Sequence, residues 1–422
     1  MIKSIKLKTA SSRTVLIIAG FLCLAAIFFF VKWCFANAIA EKAPLKEVAE
    51  LTVDLAPNDP QTHYALAVIN EKTFLSEDLS RSLNEFEQAV ALSPNDFRLW
   101  LVYGKARERS GDGAGAELAL RKALEFAPNY AEVQWALGNV LLRRGAVREA
   151  FFEIRRAAES DKNYRIPAVA AAWQISGGSL ANIKQNLGDS ANLNSALVMF
   201  LAKQKRFAEA VEIWNALPAE EKKTTLKTEG EALFGELIAA KQYRSALEIQ
   251  TSIGDKSNAE NFAPGKIFNG GFEAEIKREK ATVFDWQIAD GGQPQIGFDD
   301  NQKVGGARSL VIIFNSTDGK DFRQVSQIVA VEAARKYGFS LFYKSDLKTS
   351  GTLRWEIVDD SNEKILATTN PISANADWTN LKTEFVSAAD TEAVTVRLVR
   401  ESCKSIICPI AGKVWFDDFS IN

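Results

Sequence analysis

The sequence predicts a multidomain chain: an all-α solenoid of helix pairs, then an all-β sandwich of jelly-roll type, preceded by one transmembrane helix. Three observations carry this. Small residues recur about every 34 positions through the first half. Residues 14–31 carry no charge. Beyond about residue 265, helical periodicity gives way to short alternating runs rich in β-branched and aromatic residues. The expected order is a basic cytoplasmic segment at 1–13, the membrane helix at 14–36, the solenoid at 45–253, a polar linker at 254–265 and the sandwich at 266–422.

At the amino terminus, Lys3, Lys6, Lys8 and Arg13 come with no acid, and an uncharged run from Thr14 to Val31 follows. Eighteen helical residues rise about 27 Å, close to the hydrocarbon thickness of a bilayer. Trp33 beside Lys32 has the character of an interfacial anchor, and the positive flank places the amino terminus in the cytoplasm. The bulk is then expected to be periplasmic or extracellular, on a single pass through the inner membrane. Ala36-Asn37-Ala38 has the small-x-small form of a signal-peptide cleavage site, but the apolar run exceeds the usual h-region of about 7–15 residues, which favours an uncleaved anchor. Phe21 and Leu22 are too bulky for a lipidation signal at Cys23.

The solenoid follows from register. Trp100, Tyr103, Gly104, Arg107, Gly111, Ala116, Leu120, Ala123 and Pro128 are answered by Leu137, Gly138, Leu141, Gly145, Ala150, Ile154 and Ala157, with Gly104–Gly138, Gly111–Gly145, Ala116–Ala150 and Ala123–Ala157 each 34 apart. Small residues at fixed places in paired amphipathic stretches mark helices whose backbones approach closely. The pattern resembles the tetratricopeptide repeat (TPR). An earlier unit carries Tyr64, Leu66, Ala67, Leu83, Phe86, Ala89 and Pro94; its 37-residue spacing from Ala67 to Gly104 implies a three-residue insertion around 73–78. Pro57, Pro94 and Pro128, each followed by Asn, mark turns between units. After Tyr164 the pattern loosens at Gly177-Gly178 and returns weakly around Ala210 and Ala246, giving three good units and two or three degenerate ones. The resemblance implies a protein partner, for which Arg107, Asn139 and Arg143 on first helices are candidate groove residues; ordinary solvated polar positions are the alternative. The single histidine, His63, reads as a packing residue of the first unit rather than a catalytic or metal-binding group.

In the last 155 or so residues, the runs 308–314, 336–344, 352–358 and 394–399 read as strands, separated by turn formers such as 315–319 and 359–362. Four landmarks stand out: Phe268-Asn-Gly-Gly-Phe-Glu273 with Asp285-Trp286; Gly306-Ala-Arg-Ser-Leu310; Gln324–Val331 before Tyr337-Gly-Phe-Ser340; and Val414-Trp-Phe-Asp-Asp-Phe-Ser-Ile421. Together they resemble the carbohydrate-binding modules of the galactose-binding-like jelly-roll group. That resemblance implies a structural calcium at Glu273 and Asp417, with Asp418 beside it; simple turn capping is the alternative reading of both acids. Sugar binding needs aromatic faces with polar company, and the candidates are Trp355, Tyr343, Trp378 and Trp415 with Arg354, Glu356 and Gln295. Against this, the resemblance places Trp286, Trp378 and Trp415 in the core, and alternation with Leu353 and Ile357 points Trp355 inward. Cys403 and Cys408 form a local disulfide in an oxidising compartment, worth about 2 kcal/mol for so short a loop, or remain two free thiols.

Lys plus Arg number 51 against 53 for Asp plus Glu, a net charge of −2, and this balance excludes a basic nucleic-acid footprint. The 422 residues are fully apportioned among anchor, repeats, linker and sandwich, leaving no room for a catalytic domain with two placed carboxylates. The expected function is therefore a non-catalytic, membrane-anchored envelope adaptor. Its solenoid holds a protein partner and its sandwich a glycan or protein, in the setting of surface or exopolysaccharide assembly. The alternatives are a purely structural scaffold and an accessory to a glycan-active enzyme.

Overall fold

The computed structural model of the chain describes residues 10–73, 75–254, 263–277, 279, 281–316, 322–349, 351–401, 403 and 408–422. Lys3, Lys6 and Lys8, Phe74 in the expected insertion, residues 255–262 of the expected linker, 317–319 of one expected turn and 404–407 between the two cysteines lie outside the described residues. Two compact units are formed, Met1–Leu193 and Asn194–Asn422. The division falls inside the helical region, while the polar stretch around residue 260 lies within the second unit.

The first unit opens with α1 (Ala10–Ala40), whose Arg13–Ala40 portion is long and apolar enough to cross a membrane. It runs four residues beyond the expected 36, because its last turns are packed. Ala36 and Ala40 are buried, and Asn37 Nδ2 donates to Asp59 Oδ2 at 2.8 Å. One single helix and four helix pairs follow the anchor's end: α2 (Lys46–Leu55), then α3 (Pro60–Lys72) with α4 (Ser76–Leu92), α5 (Phe97–Arg109) with α6 (Gly113–Phe126), α7 (Ala131–Arg143) with α8 (Val147–Ser160), and α9 (Arg165–Ile175) with α10 (Leu180–Leu187). Each pair packs within itself, and α4 on α5 and α6 on α7 link consecutive pairs.

The repeat glycines are explained by distance. A Cβ at Gly104 would stand 2.6 Å from Leu120 Cγ, and one at Gly138 2.6 Å from Ile154 Cγ1, so only hydrogen fits where the two helices of a pair touch. Gly111 and Gly145 hold φ of 88° and 81° in the turns inside the pairs. The expected insertion lengthens α4 to 17 residues, against 14 in α6 and α8, rather than enlarging the turn before it.

The proline turns carry a regularity beyond the repeat pattern. Six residues after each proline, a side-chain N–H meets its carbonyl: His63 Nε2 to Pro57 O at 2.9 Å, Trp100 Nε1 to Pro94 O at 2.7 Å and Gln134 Nε2 to Pro128 O at 2.7 Å. Three chemically different residues thus satisfy the equivalent turn carbonyl, and Pro128 O accepts a second bond from Arg156 Nη2 at 2.6 Å. His63 Nδ1 also lies 2.5 Å from Glu85 Oε2, so both ring nitrogens face acceptors. The Glu85 carboxylate and the Pro57 carbonyl hold its pKa above the ordinary value, against the opposing effect of burial.

In the second unit come α11 (Ala191–Lys203), α12 (Phe207–Ala216), a short α13 (Ala219–Lys223), α14 (Lys227–Ala239) and α15 (Tyr243–Ile253). The turns before α12 and α15 place Lys205 and Lys241 at φ of 59° and 56°, where the better units have glycine. This substitution is one reason the repeat fades in the sequence.

The sandwich has strands β1 (Gln287–Ile288), β2 (Gln295–Asp299), β3 (Ser309–Ser316), β4 (Val325–Ala330), β5 (Lys336–Thr349), β6 (Thr352–Asp359), β7 (Ile365–Thr368), β8 (Asn375–Val386), β9 (Ala393–Glu401) and β10 (Ile410–Ile421). They form two antiparallel sheets, ordered β1-β4-β9-β6-β7 and β2-β3-β10-β5-β8. An aromatic cluster fills the space between them. Phe419 lies 4.8 Å from Trp355 and 5.0 Å from Trp286 between ring centroids, and Phe416 lies 5.3 Å from Trp355.

The helices of this unit are tied to the sandwich. Tyr243 Oη donates to Asp360 Oδ2 at 2.5 Å, Lys241 Nζ donates to Asp360 O at 2.7 Å, and Arg244 N donates to Glu392 Oε2 at 3.1 Å. The Arg244 guanidinium pairs with the same Glu392 carboxylate, and Phe284 contacts both Phe234 and Tyr243. Burial and the Asp360 carboxylate together push the Tyr243 hydroxyl pKa far above its usual range. These bonds explain why α15 groups with the strands and not with the repeats before Leu193.

Candidate functional site

Each of the three groove candidates is engaged within its own unit. Arg107, on α5, pairs with Asp112 at 3.0 Å and lies 5.1 Å over the Tyr103 ring. Arg143, on α7, pairs with Glu108 of α5 and so ties adjacent helix pairs together. Asn139 donates to Trp135 O in its own helix at 2.8 Å. First helices do carry all three, as expected, but their polar groups brace the stack.

On the sandwich, alternation decides the outcome. Two of the sugar candidates are corrected: Trp355 is fully enclosed at 0% exposure, and Tyr343 at 4% belongs to the same interlayer core. Neither offers a face to a ligand. Inward pointing was the simpler reading of Trp355, and the core confirms it. Arg354 pairs with Glu401, and Arg397 Nη2 donates to Glu356 Oε2 at 2.8 Å, so both polar candidates on β6 belong to a charge ladder on the other sheet's outer surface. Trp286 is a core residue as expected, donating Nε1–H to Asn269 O at 3.1 Å.

Trp378 departs from the expected core placement, whereas Trp415 is buried as expected but outside the interlayer cluster. Trp415 falls on β10 between the inward residues Val414 and Phe416, opposite Lys344 of β5 and Val311 of β3. It is covered to 8% exposure from the outer side, and its Nε1–H donates to Asp299 Oδ2 at 2.9 Å. Trp378 is half-buried at a β8 bulge that sets it and Asp377 opposite Lys344, whose ammonium donates to Asp377 at 2.9 Å. Phe342, half-buried, opposes Asp417 on one side and Asn380 on the other. The outer face of β2-β3-β10-β5-β8 therefore carries half-buried Phe342 and the covered Trp415 with Lys344, Asn380 and Gln295, and half-buried Trp378 lies beside Lys344 at the β8 bulge. Phe342 was missed, although its phase in β5 matches Ser340 and Lys344 rather than Leu341 and Tyr343; that phase is the signal that identifies it.

Glu273 and Asp417 do converge. Both Glu273 oxygens accept from Ala307 N at 3.0 Å, while Asp417 Oδ2 accepts from Val304 N at 2.7 Å and Gly305 N at 3.2 Å, and Asp417 Oδ1 accepts from Asp418 N at 2.8 Å. Gly306 holds φ of 57°, and a Cβ there would displace the Glu273 carboxylate, whose Oε1 would lie 1.7 Å away. Burial pushes the Asp417 carboxyl above its usual range despite three N–H donors, and nearby Asp418 adds to the push. Among the described residues Asp417 forms no ion pair, and Arg308 spends its guanidinium on Phe272 O, Glu273 O and Glu275. All-oxygen donors with uncompensated charge fit a hard cation in chemistry. In number they fall short, since among the described residues no group of three or more such side chains is placed to hold a metal.

Cys403 and Cys408 are joined as a disulfide with Cα atoms 5.5 Å apart; Cys23 and Cys34 are free and exposed on α1.

No protein-family model matches the chain. A stretch of 105 residues is 24% identical to the peroxisomal targeting signal receptor of Saccharomyces cerevisiae, covering 25% of this chain and 17% of the receptor, so the chain spans about a sixth of that relative's length. Among solved structures, the MamA MSR-1 C2 structure aligns with 38% of this chain and 95% of its own at 18% identity and a TM-score of 0.31. A CBM4 structure aligns with 37% of this chain and 99% of its own at 18% identity and a TM-score of 0.28. These likenesses concern fold and carry nothing about ligands. What the chain itself shows is a region of paired α-helices followed by a sandwich of two antiparallel sheets.

Proposed function

We propose that the chain is a non-catalytic, membrane-anchored adaptor of the bacterial envelope, with a solenoid that holds a protein partner and a sandwich that holds a glycan. The observation that carries the glycan half is the outer face of β2-β3-β10-β5-β8, where half-buried Phe342, with half-buried Trp378 at the adjoining β8 bulge, lies beside amide, ammonium and carboxylate groups. Sugar rings pack on aromatic faces while their hydroxyls take such polar partners. Retention of α1 as an anchor is supported by its last turns: Ala36-Asn37-Ala38 is helical and Asn37 is bonded to Asp59, which opposes the extended conformation a peptidase needs. The Cys403–Cys408 disulfide supports placement of the bulk in an oxidising compartment. Polysaccharide assembly at the cell surface is the setting we infer from this pairing.

A glycan array probed with the full chain, with and without calcium, tests the glycan half. Binding lost in Trp378→Ala and Phe342→Ala, with unchanged circular dichroism, is the expected result. Silence of a folded chain removes the sugar. A structural scaffold without sugar binding is the second reading, and the near-complete covering of Trp415 favours it. Pull-down from envelope extracts tests the solenoid half, and measured turnover of any polysaccharide overturns the non-catalytic assignment.

A further inference from the structure

The degenerate unit that ends the first compact unit opens a cleft of about 470 Å³ between α8, the end of α9 and α10. Its origin is local. Gly177 and Gly178 take φ of 56° and 79° after α9, and α10 then runs for only 8 residues where α8 has 14. Second helices that stack at full length close against each other; this short one leaves part of the α8 flank uncovered.

The exposed flank is cationic. Arg148 and Arg155 line the cleft, and no acid does. They are seven residues apart, two helical turns, or about 10.5 Å along the axis. Among the described residues neither makes an ion pair, whereas Arg98, Arg107, Arg109, Arg121, Arg143 and Arg144 each pair with a carboxylate. Arg155 Nε donates to Phe151 O at 3.1 Å, which steadies the guanidinium without neutralising it. Opposite lie the carboxamides of Asn182, Gln185 and Asn186, the last donating to Ser176 Oγ at 3.2 Å. Such groups offer both a donor and an acceptor, matching the alternating N–H and C=O of an extended main chain. Ile175, 46% exposed, supplies an apolar contact. No aromatic ring presents a face in the cleft, since Phe151 is 2% exposed, and that disfavours a sugar there.

We propose that this cleft binds an extended acidic peptide segment of the solenoid's protein partner: carboxylates on Arg148 and Arg155, main chain on the carboxamides, and an apolar side chain against Ile175. The inference rests on the reading of the solenoid as protein-binding and adds a site and a partner chemistry to it. It is tested with the detergent-solubilised full chain by fluorescence anisotropy, using a fluorescein-labelled peptide of alternating aspartate and leucine at low and moderate salt. Arg148→Glu is expected to weaken binding at least tenfold, Gln185→Ala severalfold, and moderate salt to weaken the wild type, with far-ultraviolet circular dichroism unchanged in both variants. A peptide with lysine in place of aspartate is expected not to bind. Unchanged affinity in both variants overturns the site, as does displacement of the peptide by oligogalacturonate at lower concentration than by unlabelled peptide. A failed envelope pull-down would instead refute the broader adaptor reading, so the two failures are distinguishable.

Discussion

Replacing Tyr243 by Phe and Glu392 by Gln removes the Tyr243–Asp360 hydrogen bond and the Arg244–Glu392 ion pair between α15 and the sandwich without emptying the space their side chains fill. Tyr243 Oη gives Asp360 a hydrogen bond of 2.5 Å, and the carboxylate side chain is only 18% exposed. A hydrogen bond to a charged group contributes about 1.5–3 kcal/mol. Asp360 keeps Thr395 Oγ1 at 3.3 Å and Lys241 Nζ at 3.6 Å, so the lower end of that range applies. The Arg244–Glu392 pair is partly exposed and adds roughly 1 kcal/mol at most. Together the two changes weaken docking of α15 by about 2 kcal/mol, which raises the population of the undocked helix roughly 30-fold. Hydrogen exchange of the α15 amides in the full chain reads this directly. Protection is expected to fall by that factor in α15, with β6 and β9 unaffected in their interiors. A charge-exchanged pair, Arg244→Glu with Glu392→Arg, is expected to recover part of it. Unchanged α15 protection in the double variant would refute the reasoning that these bonds hold the helix to the strands.

Three further outcomes follow from other parts of the molecule. The folded pKa of His63 lies above its unfolded value of about 6.5, so its contribution is fully present below that pH and is lost as pH rises through the folded value; His63→Gln, which keeps an N–H for Pro57 O, should therefore cost more stability at pH 5.5 than at pH 8.5 in urea titrations, and an equal cost at both would contradict this. Gly138→Ala places a methyl 2.6 Å from Ile154 Cγ1 and should destabilise the first unit by about 1–3 kcal/mol, whereas Gly20→Ala, with nothing within 4 Å, should leave thermal unfolding unchanged. With only two converging carboxylates, calcium at millimolar concentration is expected to leave the melting temperature of the sandwich unchanged; a rise reversed by chelator and lost in Asp417→Asn would show instead that a cation joins the backbone donors of 304, 305, 307 and 418 on Glu273 and Asp417.

Legibility varied with the range of the interaction involved. Helix and strand limits followed from periodicity: the helices expected over 45–253 run from Lys46 to Ile253, although those after Leu193 group with the strands, and the strands expected at 352–358 and 394–399 became β6 and β9. Gly104 and Gly138 were readable as contact points because a backbone approach admits one residue type. The sugar candidates were less readable, because aromatic identity says nothing about facing. Alternation handled Trp355 correctly, yet Tyr343 and Phe342 are neighbours on opposite faces, and only their phase within β5 separates them. Trp378 escaped alternation altogether, since it sits at a bulge where the two-residue period breaks. The groove arginines were placed on the correct helices, but their partners, Asp112 and Glu108, could not be known before the helices were stacked.

By itself the sequence determined the order of elements, the period of the repeat and the apolar character of α1, because each depends on residues close together in the chain. Tertiary structure alone decided which aromatics are enclosed, that Glu273 and Asp417 meet at one loop, that α15 belongs with the sandwich, and that two arginines on α8 are left facing a cleft. Each of these brings together residues from separate elements, Tyr243 with Asp360 or Glu273 with Ala307, and such pairings arise only when the elements pack.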